Sequence, residues 1–131
     1  MSKALPRHFS DPLVWTNLVF VIPFFLTIYA GIYSHAFVIL IATMLSVIYH
    51  RSHEKQLKKY DMIFAYILIA HNLYTVSFGP FIYFLVALVF VALSFVAYGL
   101  AKRRNYPIYH SAWHIFSVLI TTTCIVGYIM R

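Results

Sequence analysis

The apolar positions of this chain fall into five runs, at approximately 13–32, 34–51, 60–78, 80–101 and 107–130. Each is close to the ~20 residues that an α-helix needs to cross a bilayer. The first run follows Ser10-Asp11-Pro12, a capping residue with proline in the first helical turn. Pro23 inside it predicts a kink, because proline lacks a donor and its ring crowds the carbonyl four residues back. Gly79-Pro80 separates the third run from the fourth. The first run is longer than a typical signal-peptide core and no A-x-A-like site follows it, so it reads as a retained helix. There is no internal repeat, low-complexity stretch or domain linker. The expectation is a single all-α, polytopic transmembrane bundle covering residues 1–131.

Composition supports that reading. Apolar residues make up 63% of the chain and charged ones 10%, against ~25% charged in ordinary soluble domains. Such a balance builds a lipid-facing surface and leaves no soluble domain. The single cysteine, Cys124, excludes an intrachain disulfide and a cysteine zinc knuckle.

The net charge of +7 raises the question of nucleic acid, but the charges sit in short patches between apolar runs. Basic loops at a membrane face meet anionic head groups instead. With five crossings, one side collects Lys3, Arg7, Arg51, Lys55, Lys58, Lys59, Lys102, Arg103 and Arg104, and the other only Arg131. By the positive-inside rule the basic side, with the N-terminus, is cytoplasmic. An even number of crossings would scatter the basic patches across both sides.

Ionisable groups inside a span are costly and mark functional sites. His50 ends the second run, Asp61 opens the third, and His110 and His114 lie in the first turns of the fifth. All four fall in one layer at the basic side. His110 and His114 are four residues apart and project from one helix face, where two neutral imidazoles can hold one zinc ion. Ser117 and Thr121 continue that stripe, Thr43, Ser46 and His50 share a face, and so do Asp61 and Asn72. The fourth run has almost no polar positions, which suits a lipid-facing place.

Three histidines leave the fourth position of a tetrahedral zinc open, the pattern of a catalytic site. Zinc brings the pKa of water to about 7. Asp61 is placed to orient that water or take its proton. Ser46, one turn before His50, is placed to donate to a developing oxyanion.

Each element has a simpler reading when taken alone. The H-x-x-x-H pair suits interfacial histidines on lipid phosphate. Asp61 suits a helix start, and Ser46 suits helix packing. His8 and His35 read as terminal or loop residues, His53 as a solvated loop residue and spare ligand, and His71 as a core position turned away from Asp61.

The set Ser46-Val-Ile-Tyr-His50, Asp61, His110-Ser-Ala-Trp-His114 resembles the CREST superfamily. That superfamily includes alkaline ceramidases, adiponectin and progestin receptors, hemolysin III-like proteins and the myomaker-related group. The S-x-x-Y-H and H-S-x-W-H wording looks most like the myomaker-related group, and the short gap from His50 to Asp61 looks more like the ceramidases. The resemblance implies zinc on His50, His110 and His114, water near Asp61, and hydrolysis of a lipid amide or ester. The family usually has seven helices. Two fewer keep the odd parity but alter the lipid cavity, and a homo-oligomer would complete the bundle.

Four function classes follow. The leading one is a zinc-dependent intramembrane hydrolase whose substrate is a membrane lipid. The alternative is a non-catalytic receptor or remodelling protein with structural zinc. A transporter needs acids along a crossing path, whereas here they cluster at one face. A haem protein would pair His50 with His110 or His114.

Overall fold

In a computed structural model of the protein, residues 7–52 and 54–131 are described. Lys3 of the charge count and His53 lie outside them. The described residues form α1 (Pro12–Leu18), α2 (Val21–Tyr29), α3 (Tyr33–Ser52), α4 (Lys55–Val76), α5 (Phe81–Arg103) and α6 (Tyr106–Ile129). α1 and α2 are two halves of one rod, so the five expected helices are present.

The break in the first rod sits at Val19-Phe20 rather than at Pro23 itself. That position follows from proline chemistry: the crowded carbonyl is the one four residues back, Val19. It is released from α-helical pairing and accepts instead from the Ile22 N–H, 3.1 Å away. Asp11 caps α1 by accepting from the Leu13 N–H at 2.9 Å. α2 ends in a Schellman motif. Gly31 takes φ +72°, and the Ile32 N–H donates to the Thr27 carbonyl at 2.9 Å. Asn105 caps α6 by accepting from the Ile108 N–H, with Pro107 in the first turn.

Four rods are long and apolar enough to cross a membrane: Pro12–Tyr29, Tyr33–Ser52, Phe81–Arg103 and Tyr106–Ile129. They mark the chain as a membrane protein. α4 is less apolar because it carries Lys55, Lys58, Lys59, Asp61, His71 and Asn72. It starts five residues before the expected position, because its charged first turn continues the helix beyond the apolar run. Its 22 residues span roughly 33 Å. It runs antiparallel to α3, with Thr75 near its end meeting His35 at the start of α3 and Asp61 near its start meeting Ser46 near the end of α3.

The packing is a ring with one helix outside. α3 packs on α1, α2 and α4, and α6 packs on α1, α2 and α4, so α3 and α6 face each other across the interior. α5 packs on α6 alone to any extent. Its inner stripe includes Ala87, Ala97 and Ala101, which are buried, and small residues of this kind let backbones approach in lipid. The close approach is tightest where the α4–α5 turn meets α6: a Cβ on Gly79 would collide with the Gly127 carbonyl.

Candidate metal centre

Arg7, the end of α3, the start of α4, the end of α5 and the start of α6 gather at one end of the ring, here the basic end; the other, where α6 ends, is the far end. At the basic end α3 delivers His50 and α6 delivers His110 and His114. Their ring centres are 5.0 Å (His50–His110), 5.1 Å (His50–His114) and 4.7 Å (His110–His114) apart. One ring nitrogen from each lies within 4.8 Å of the others. His50 and His114 are buried and His110 is half-buried.

These residues fit a zinc ion. Imidazole nitrogens ~2.1 Å from a tetrahedral zinc put the ring centres roughly 5.3 Å apart, close to what the three rings adopt. His110 Nδ1 is buried and has no hydrogen-bond partner among the described residues, which leaves its lone pair open to a cation.

The ring of His114 is fixed by the first rod. Its Nδ1 lies 2.9 Å from Thr16 Oγ1 and 3.1 Å from Asn17 Nδ2. The Thr16 hydroxyl already donates its hydrogen to the Pro12 carbonyl one turn back. It can therefore accept from His114 Nδ1–H, while Asn17, which gives one amide hydrogen to the Leu13 carbonyl at 2.9 Å, has its second to give to the same nitrogen when that nitrogen is unprotonated. Both partners hold the ring through Nδ1; with the proton on Nδ1 toward Thr16, Nε2 carries the lone pair that a metal needs. This is the usual device by which outer groups set a ligand's tautomer and raise its basicity.

Asp61 and Ser46 stand beside the triad without joining it. The Ser46 hydroxyl faces the Asp61 carboxyl across the α3–α4 contact, and Ser46 is one helical turn from His50. Asp61 is half-buried and interacts with Tyr106, whose ring stacks on His110 at 4.8 Å and 21°. Tyr49 packs against His50 at 4.8 Å, and Trp113 lies 5.8 Å from His110. Aromatic rings thus flank the three imidazoles, while Arg7 ahead of α1 and Lys58 in the first turns of α4 set positive charge toward His110. The site can hold a cation on three neutral donors next to one carboxyl–hydroxyl pair.

Thr16, Asn17, Tyr106 and Arg7 were not singled out from sequence. The available signal was the Thr16-Asn17 pair, a polar interruption of the first apolar run near its basic end. Of the wider polar stripes, Asn72 and Thr121 meet in the core, where Asn72 Nδ2 donates to Thr121 Oγ1 at 3.1 Å. Thr121 in turn donates to the Ser117 carbonyl at 2.9 Å.

The expectation that His35 is a loop residue is corrected. It belongs to the first turn of α3, is fully buried, and shares the far end with His71, whose ring centre is 5.4 Å away. The reason is packing: the start of α3 is covered by the last turns of α4, which the apolar pattern of α3 alone does not reveal.

No family model, curated protein or solved structure matches the chain.

Proposed function

We propose that this chain is a zinc-dependent hydrolase of a membrane-lipid acyl amide or ester, a shortened relative of the CREST type, with its N-terminus and basic end in the cytoplasm. The supporting observation is the convergence of His50, His110 and His114 at the basic end with the Asp61–Ser46 pair beside them. That layer is where the acyl linkages of a bilayer lipid meet the head groups.

His50, His110 and His114 hold the metal. Zinc bound there supplies a Lewis acid that polarises an acyl carbonyl and makes water a better nucleophile at neutral pH. Asp61 accepts a proton from water as it adds to the acyl carbon. The same carboxyl then returns the proton to the departing amine or alcohol as the C–N or C–O bond breaks. The products are a fatty acid and an amine or alcohol. Ser46, facing Asp61, steadies the carboxyl and is placed to donate to a developing oxyanion. Thr16 and Asn17 hold the His114 ring through Nδ1, and the flanking rings of Tyr49 and Trp113 limit water.

A second reading is favoured by one feature of the packing. The three ligands tie α3 to α6 across the ring, so the metal would strap the bundle in a receptor-like or remodelling protein without turnover. Fatty-acid release from ceramide and phospholipid in detergent micelles separates the two. Hydrolysis by the wild type and its loss in Asp61→Asn with zinc retained support the hydrolase. No release by zinc-loaded, folded protein gives the structural reading the lead. For orientation, an N-terminal tag should be shielded from a membrane-impermeant reagent applied to cells, while a tag at Arg131 reacts; both ends reacting alike would contradict it.

A further inference from the structure

The far end of the ring carries a second cluster that the hydrolase reading does not use. His35 is fully buried on α3. Its Nδ1 lies 3.0 Å from Thr75 Oγ1 of α4, and its Nε2 has no hydrogen-bond partner among the described residues. Asn72 is 6% exposed and its amide faces His35 closely enough to act on it as a side-chain hydrogen-bonding group, although its Oδ1 meets no donor in hydrogen-bond geometry among the described residues. The amide's other end is fixed by donation to Thr121, so Oδ1 is not free to turn away. His71, next to Asn72 on α4, completes the group at the 5.4 Å ring separation.

Two buried polar atoms left bare cost about 1–3 kcal/mol each, and native interiors leave few such atoms unexplained. The ring separation of His35 and His71 matches the roughly 5.3 Å expected for two imidazoles on one tetrahedral ion. The donors are two imidazole nitrogens and a neutral amide oxygen. Imidazole-dominated sets suit zinc, copper or nickel, whereas magnesium and calcium prefer all-oxygen sites. Thr75 orients His35 as Thr16 orients His114, the outer group that a ligating histidine usually has.

We propose that His35, His71 and Asn72 form a second transition-metal site, at the far end of the bundle. His35 and His50 are fifteen residues apart on α3, roughly 22 Å along the axis, so this site is separate from the triad. The half-buried His71 gives the ion its way in from the far membrane face. All three ligands come from the neighbouring antiparallel helices α3 and α4, so binding there requires no closure of the ring.

Tag-free protein in detergent, stripped with chelator and titrated with Co²⁺ by visible absorption, then with Zn²⁺ by equilibrium dialysis and elemental analysis, tests this. Wild type should take two ions per chain. His71→Leu, at a half-buried position where an apolar side chain is tolerated, should take one and keep the ion that His110→Ala/His114→Ala loses. His35→Ala should give the same loss, with circular dichroism and elution volume showing that it remains folded. Two ions retained with unchanged affinity in His71→Leu, or a single ion in wild type that only the triad variants remove, would overturn the proposal. In either case the bare atoms pair with each other or with water. The two sites fail separately, because each has its own variants.

Discussion

The two ends of the bundle bury histidines by different architectures. At the basic end the three imidazoles come from α3 and α6, which face each other across the ring. A third rod fixes one of them through Thr16, and α4 adds Asp61. At the far end the histidines come from α3 and α4, which are already neighbours, and the backbone is locked by Gly79 against Gly127. A ligand bridging opposite helices holds the ring closed; one between adjacent helices adds to a contact that exists without it. The basic end should therefore depend on metal for its integrity and the far end on packing.

The largest expected effect comes from removing the strap. His110→Ala/His114→Ala should abolish hydrolysis and lower the melting temperature, because metal binding energy is also folding energy. At a hundredfold excess of zinc over Kd, the loss relative to wild type is about 2.7 kcal/mol. Hydrogen exchange should rise in the last turns of α3 and first turns of α6 and stay unchanged at the α4–α5 turn. Uniform loosening of both ends would break the comparison.

Asp61→Asn comes next. It removes the proposed base and leaves the three histidines, so zinc content should be unchanged while turnover drops by ~10²–10⁴. Wild-type turnover in this variant would return Asp61 to the role of a helix-start residue.

A smaller change sharpens the outer shell of the basic end. Thr16→Val keeps the side-chain shape but removes the hydroxyl beside His114 Nδ1, which should weaken zinc binding by about 10–100-fold without affecting the far end. Unaltered affinity would mean that Asn17, not Thr16, governs that nitrogen.

The mirror-image test acts on packing. Gly127→Ala puts a Cβ into the Tyr83 side chain, 2.8 Å from its Cβ. Overpacking of this kind costs about 1–3 kcal/mol, and zinc at the basic end should be retained. A Gly127→Ala chain that melts like wild type would show that the far end has slack.

How much of this was legible beforehand depends on which physical term sets each feature. The five rods were legible because a membrane-crossing helix must be apolar over its whole length. The triad was legible because i,i+4 spacing puts His110 and His114 on one face, and because helix direction alone brings His50 to their depth. Two features depend on which helices become neighbours, and a single run does not carry that information. Thr16 fixes His114 only because α1 packs on α6. His35 looked like a loop residue because a histidine opening an apolar run resembles an interfacial one; its burial comes from α4. The break at Val19 was displaced from Pro23 because proline acts on the carbonyl one turn earlier. The outer place of α5 was visible in its lack of polar positions, but its attachment to α6 through Ala87, Ala97 and Ala101 was not.

The most direct test of the triad is the difference in zinc content between wild-type protein and His110→Ala/His114→Ala, both purified without a tag and equilibrated against the same free zinc. One ion per chain should disappear in the double variant. Equal zinc in the two proteins would contradict a metal centre built from His50, His110 and His114.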